Sequence, residues 1–500
     1  MKNIISNSWK ISTLVVVLAW LSSCQQDVIS PANQSVAFIK YYGHVATQTA
    51  ADLLRTSDGG YILLGATNSY TAGDERDVFV VKTDSLGNEL WSSSFGRAAT
   101  DNFSTYPNPN LFKGDYVRFD EAGVRLVPLP DGSMYTLACN RTYIRYADAN
   151  TMISTRGETK IVLYQIDATT GAPTSPDGVE LNQSTADTLT EMVSDMKIDT
   201  SSGIIKYVLT GMTTNVPNKA VIPGNSNEVS DRSDIYTVAL DETFNILWQP
   251  GNQKYGRIGE DYGVSVQILP QGYLVCGTIE RNYDATSSSF LPYSDLLVVF
   301  MNKTTGQPTN PDYFGLEGTD FRGGQSVYNA STGIVTILGY VDQSSTDAGK
   351  LSLVQIDEGG VPQSVNGNFI TYLDVNSTAS GQRPYVSASI DEVPDNGGFI
   401  ISATYKEILN TEHDICIIKV TPDFSIDTGW PYYFGYNEAG SQNVFATLEE
   451  AGTVMPVTEA VAGTNQRVLT GYAFTGTFGL GTNDMLGLVK LNPQGTFTPE

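Results

Sequence analysis

One pattern dominates this chain and limits what it can become. The stretch 51–96, "ADLLRTSDGGYILLGATNSYTAGDERDVFVVKTDSLGNELWSSSFG", divides into four extended runs joined by a DGG turn, a polar loop and an SLGN turn. The two middle runs, "YILLGAT" and "DVFVVKTD", are continuously apolar, as expected of strands buried on both faces of a sheet. Related units follow at spacings of roughly 60–75 residues, longer than the ~40–50 of common propeller repeats. They open at "VRLVPLPDGSMYTLACN", "EMVSDMKIDTSSGIIKYVLTGMT", "YGVSVQILPQGYLVCGT", "GGQSVYNASTGIVTILGYV", "YVSASIDEVPDNGGFIISATY" and "VFATLEEAGTVMPVTEAVAGTNQRVLTGYAF". Four strands per unit, repeated radially, predict an all-β fold, a seven-bladed β-propeller.

The ends of the chain explain each other. Units close on an aromatic-Gly pair: "SSSFG", "NQKYG", "PDYFG", "PYYFG". The seventh unit stops at "NPQGTFTPE" without such a strand, whereas "FIKYYG" (38–43) is a closing strand with no unit before it. The N-terminal segment is therefore expected to fill the outermost position of the last blade and seal an edge that would otherwise recruit other chains. In that arrangement "ADLLRT"-type strands line the central channel. Loops joining first to second and third to fourth strands share one face and are tight ("SDGG", "LPDG", "LPQG", "SLGN"). Loops joining second to third strands, and blade to blade, share the other face and are long: 96–114, 140–159, 214–233, 280–294 and 342–350. Long loops carry variation and function, so that face is expected to bind.

Residues 1–23 read as an export signal: "MKNIISNSWK" supplies positive charge and "ISTLVVVLAWL" an apolar run too short to span a bilayer. "LSSC" resembles a bacterial lipobox, with Cys24 as the acylated residue, followed by a polar tether over 24–36 and the propeller over 37–500. Several acyl chains anchor stably where one is marginal. The implied location is the cell envelope, at the outer membrane, with membrane contact through the anchor alone and a monomeric propeller. The full chain carries a net charge of −25; the mature one loses Lys2 and Lys10 but no acid and stands at −27. Such acidity repels phosphate backbones and anionic lipid, excluding nucleic acid as a partner and suiting solubility. Cys139, Cys276 and Cys416 lie in apolar runs, with no CxxC and only two histidines, so no zinc or redox site, and no cofactor, is expected.

Trp91, Trp248 and Trp430 occupy one repeat position and read as packing residues. The loop tyrosines Tyr143, Tyr146, Tyr283 and Tyr293 suit a recognition surface, although with 27 tyrosines chance placement serves as well. Asp52, Arg118, Asp261, Arg322 and Arg383 stand near the starts of the innermost strands and are expected at the channel mouth on the long-loop face. Such a ring suits a polar or anionic ligand, or else forms a self-satisfied ionic plug. No G-x-S-x-G elbow, HExxH, P-loop, EF-hand loop or complete Asp box is present.

"SDGGYILLGAT…DVFVVKTDSLGNELW" resembles the repeat of secreted and lipid-anchored propeller proteins of Gram-negative bacteria, over essentially all of 37–500. "IDATTGAP" (166–173) and "MNKTTGQP" (301–308) resemble the Asp-x-x-Thr-Gly turns of quinoprotein-type propellers, which include the lipoprotein that helps assemble outer-membrane proteins. The Trp that follows such turns is absent in both places, and no quinone-binding residues carry over. The expected function is non-catalytic binding of a protein or glycan. The alternative is an envelope polysaccharide hydrolase or lyase using carboxylates and tyrosines at the channel mouth.

Overall fold

The computed structural model describes residues 37–43, 46–69, 75–98, 116–146, 154–181, 190–214, 233–248, 254–256, 259–280, 293–315, 319–341, 349–373, 375, 385–406, 413–435, 449–461, 464, 466–480 and 483–497. These form seven separate antiparallel sheets, each packed against the next, with no helix among the described residues. It is a seven-bladed β-propeller. The inner strands are Gln48–Arg55, Tyr116–Pro128, Glu191–Asp199, Tyr262–Ile268, Phe321–Asn329, Tyr385–Glu392 and Glu450–Ala460, numbered here as blades 1 to 7. Cys24, Tyr283, Arg383 and the signal and tether segments lie outside the described residues.

Ring closure follows the sequence reading. Phe38–Tyr42 pairs antiparallel with Asn483–Leu491, the third strand of blade 7, from Phe38 opposite Lys490 to Tyr42 opposite Leu486. Tyr42 is buried and donates its hydroxyl to Gly87 O in blade 1 at 2.7 Å, so the closing strand also clips the first blade.

Burial runs where the apolar runs are. Tyr61–Thr67, Asp234–Leu240 and Ser294–Met301 are buried along their whole length. The three cysteines are buried, unpaired members of these layers, and burial pushes their thiols up. The tight turns between third and outer strands are built on a side-chain acceptor that collects backbone amides ahead of it, as turns of this kind require. Asp84 accepts from Leu86 N and Asn88 N, Asp241 from Thr243 N and Asn245 N, and Asn302 from Thr304 N and Thr305 N.

The tryptophans join blades. Trp91 of blade 1 lies against Gly171 in the turn of blade 2, Trp248 of blade 3 against Gly306 of blade 4, and Trp430 of blade 6 against Gly495 of blade 7. Phe38 takes the same place over Gly87 between blades 7 and 1. Each of these glycines has a positive φ and no room for a Cβ under the ring. The "TTG" turns thus do meet a Trp, supplied by the preceding blade. The aromatic-Gly endings have a related cause: a Cβ on Gly96, Gly256 or Gly435 would overlap the carboxylate of Asp77, Asp234 or Asp414 at the start of the adjacent third strand.

One loop reading is corrected. Much of 140–159 is strand, because Met134–Tyr146 and Ser154–Asp167 continue pairing to Tyr146 opposite Ser154, with Tyr116 on the other side. The paired strands of blade 2 therefore continue about five residues, or ~16 Å at strand rise, further from the bulge toward the long-loop face than the described inner strands of blades 1 and 3. In blade 7 the second-to-third connection is the opposite of long, spanning 481–482 between paired Leu480 and Asn483.

Candidate functional site

Every inner strand carries a β-bulge at the same level. The register slips between Ala50 and Asp52, Gly123 and Arg125, Val193 and Asp195, Gly263 and Ser265, Gly323 and Gln325, Ser387 and Ser389, and Ala451 and Val454. A bulge bends its strand and re-aims the next side chain. Opposite it stands Gly65, Gly211, Gly277 or Gly339 in four blades, where a Cβ would overlap the carbonyl that the bulge pushes outward. The recurrent "LGAT", "TGMT", "CGT" and "LGYV" are the trace of this in the sequence.

The re-aimed residues meet around the axis in a circuit that joins all seven blades. Arg125 Nη1 bonds Asp52 Oδ1 at 2.9 Å and its Nε bonds Asp195 Oδ1 at 3.0 Å. Thr453 of blade 7 donates to Asp52 Oδ1 at 2.7 Å. The second oxygen of each aspartate accepts a backbone amide from the following blade, Leu126 N on Asp52 Oδ2 and Val266 N on Asp195 Oδ2, both at 2.9 Å. Ser265 and Ser326 share a hydroxyl bond at 2.6 Å, Ser387 donates to Gln325 Oε1 at 2.8 Å, and Ser402 donates to Gly452 O at 2.6 Å. Burial opposes the charge on Arg125, but the two carboxylates more than offset it and push its pKa up.

A cavity of about 320 Å3 occupies the channel. Its walls are the residues that follow the bulges, from Asp52–Leu54 in blade 1 to Thr453–Met455 in blade 7. Because inner strands run toward the tight-turn face, the cavity lies in that half of the channel, on the side opposite to the one expected. Of its three acids, Asp52 and Asp195 are held by Arg125. The third, Asp391, accepts Glu392 N at 2.8 Å, and burial pushes its carboxyl up to about 6.

Of the expected mouth residues, Asp52 alone lines this cavity. Arg118 sits in the blade-2 extension and bonds Glu75 at 2.8 Å. Asp261 is buried and accepts Glu280 N at 2.8 Å, and Arg322 bonds Asp320 at 3.1 Å. Each ties a strand end to a neighbour. Tyr143, expected on a loop, is only 2% exposed, donates to Glu180 Oε2 at 2.7 Å and packs edge-on against Phe119 at 5.1 Å. It belongs to the base of the blade-2 extension. At the centre of that base is Arg141, 1% exposed, which bonds Glu121 at 2.7 Å, Glu180 at 3.3 Å and accepts no role in the channel. Tyr146 ends the extended second strand, and Tyr293 is half-buried just before the third strand of blade 4. The residues missed by strand-start reasoning are Arg125, Asp195, Lys197 and Asp391. For Asp195 and Lys197 the signal was Gly211 opposite the blade-3 bulge, whereas Cys139 and Ala403 stand opposite the bulges of blades 2 and 6 and left Arg125 and Asp391 unmarked.

No protein-family model and no curated protein sequence matches this chain. Solved structures superpose on it in part. A quinohemoprotein alcohol dehydrogenase from Comamonas testosteroni is 10% identical over 94% of this chain and 78% of its own, with a TM-score of 0.39. The Dos1 propeller is 11% identical over 88% and 78%, with a TM-score of 0.37. A neuraminidase-like protein from A/bat/Guatemala/164/2009 is 10% identical over 73% and 86%, with a TM-score of 0.38.

Proposed function

We propose that this chain is a non-catalytic binding propeller of the bacterial cell envelope, tethered through acylated Cys24 and presenting its long-loop face to a protein or glycan. The observation that carries the non-catalytic reading is the state of the channel acids. Carboxylate catalysis of glycosidic cleavage needs two free carboxyl groups facing each other across roughly 5–10 Å. Asp52 and Asp195 are both consumed by Arg125 and backbone amides, and Asp391 stands as the one lining acid outside that network.

The binding reading draws support from the blade-2 extension, a rigid ridge rooted in the buried Arg141–Glu121 pair on the face where the long connections lie. A ridge held by packed strands is pre-organised, which lowers the entropic cost of engaging a partner. The lipobox-like "LSSC" supports tethering in the cell envelope. The test pairs two assays on the purified protein: binding to arrayed envelope glycans and envelope proteins, and digestion of the same polysaccharides. Saturable binding without product is expected. Sustained release of oligosaccharide at turnover rates would overturn the reading in favour of a hydrolase or lyase.

A further inference from the structure

We infer that the tight-turn half of the channel is a binding site for a small zwitterion, an aliphatic amino carboxylate, held between Lys197 and Asp391. This goes beyond the partner at the long-loop face and stands independently of it. Lys197 lies two residues past the bulge position of blade 3 and Asp391 two residues past that of blade 6. They therefore share one level along the axis. Three blades separate them in a ring of seven, so they face each other across the cavity, whose lining includes both.

The two charges do not touch. Among the described residues Lys197 makes no salt bridge or hydrogen bond, and the Asp391 carboxylate accepts one backbone amide, that of Glu392. Elsewhere in the channel wall the polar groups bond one another: Arg125 pairs with two aspartates, Gln267 donates to Ser326 O and Ser387 donates to Gln325. An enclosed charge without a partner is costly, and a ligand that supplies the partner recovers that cost on binding. The raised pKa of Asp391 reports the same deficit of compensation, since burial outweighs both its amide donor and the attraction of Lys197.

The ligand class follows from the pairing. A simple anion placed on Lys197 would meet the carboxylate of Asp391, and a simple cation placed on Asp391 would meet the ammonium of Lys197. An acidic protein of net charge −25 also disfavours a bare anion at long range. A molecule with a carboxylate at one end and an ammonium at the other satisfies both walls. Between the two charges the cavity presents Leu54, Val127, Val327 and Met455, which suit an aliphatic body. Its volume of about 320 Å3 lies at the small end of ligand pockets, ~300–1,000 Å3. The Asp52–Arg125–Asp195 bridge forms the floor, so the site is entered from the tight-turn face. The two clefts between blades 4 and 5 and blades 5 and 6 are smaller, about 180 and 170 Å3, and their polar groups are already joined across the blades: Gln271 to Glu358 O and Asn329 to Glu392.

The test is calorimetric titration of the full chain with glycine, leucine, 4-aminobutyrate and 6-aminohexanoate, alongside butyrate and butylamine. At least one amino carboxylate is expected to bind and neither single-charge control to match it. Lys197→Met and Asp391→Asn should each weaken that binding roughly 10–100-fold, the worth of one charge-assisted contact. The exchange Lys197→Asp with Asp391→Lys should restore it with the ligand reversed. Thermal melts confirm that each variant is folded, and Asp391→Asn, which removes an under-compensated charge, should melt no lower than the parent. Absence of binding by all four amino carboxylates, binding indifferent to both substitutions, or butyrate binding as tightly as the best amino carboxylate would each overturn the proposal.

Discussion

Arg125 is the point at which the channel wall is most open to attack. Replacing it with Met keeps much of its volume but leaves Asp52 and Asp195, which are 7% and 2% exposed at the side chain, without their counter-charge. Breaking a buried pair by removing one partner costs about 3–5 kcal/mol, because the surviving charge stays buried. Arg125 itself is 22% exposed, and each aspartate keeps backbone amide donors from its own and the following strand, so about 3 kcal/mol is the expected loss. The loss should depend on pH. Without the guanidinium two buried carboxylates stand uncompensated, and protonation removes their charge, so the deficit of Arg125→Met relative to the parent shrinks as pH falls. Urea unfolding followed by tryptophan fluorescence at pH 7 and pH 4.5, with the parent at each pH as reference, measures both effects. The triple variant Asp52→Asn, Arg125→Met, Asp195→Asn carries no orphaned charge and should recover most of the loss at pH 7. A deficit under about 1 kcal/mol, or one equal at both pH values and unrelieved in the triple variant, would refute a charge-compensated channel wall.

Other perturbations test other joints. Deleting Phe38–Tyr42 exposes the edge of Asn483–Leu491 and should convert a monodisperse protein into self-associating species, read by light scattering after size exclusion. Gly306→Ala places a Cβ under the Trp248 ring at φ +71° and should cost about 2–4 kcal/mol in urea unfolding, with a change in Trp emission. Asp391→Asn should add up to about 2 kcal/mol at pH 7. Burial raises the Asp391 carboxyl to about 6, as it does for Asp77 with help from Glu121, so both favour the protonated folded state. Stability contributed by each is therefore lost as pH rises from about 4 to 6, and Asp391→Asn should flatten that slope in urea titrations. Cys24→Ala should move the protein from the detergent phase to the aqueous phase on Triton X-114 partition, if the "LSSC" reading holds.

The ring and its closure were legible because both rest on features that sequence patterns carry directly. Continuous apolar runs marked the doubly buried second and third strands, and the aromatic-Gly ending marked Phe38–Tyr42 as an outer strand detached from its blade. The three tryptophans were legible as packing, although the Gly each one covers lies in the next blade and so roughly a repeat away. The channel residues were not legible from strand starts, because a period-two reading assumes an unbroken ladder. One extra residue per inner strand changes which positions face the axis beyond it, and the cavity lies on that far side, so Arg125 and Ser265 line it whereas Arg118 and Asp261 lie before the bulge. The 140–159 segment misled for a different reason. Charged and polar residues in "NRTYIRY" suggested a loop, yet Thr, Tyr and Ile are good strand formers and Arg141 finds Glu121 within the sheet.

The shared bulge also explains how a scaffold this regular can hold irregular chemistry. Opposite the bulge the second strand is constrained in four blades, since Gly65, Gly211, Gly277 and Gly339 admit no side chain against the displaced carbonyl. One step past the bulge the constraint disappears, and Asp, Arg, Asp, Ser, Gln and Ser follow one another around blades 1 to 6. Two steps past it, Leu54, Val127, Lys197, Gln267, Val327 and Asp391 are as varied. Substitution at either level leaves every ladder pair intact, so the first level is free to become a self-satisfied floor and the second to become a site. The contrast between them, one closed on itself and one with two charges that do not meet, is what separates the structural part of the channel from the part that waits for a ligand.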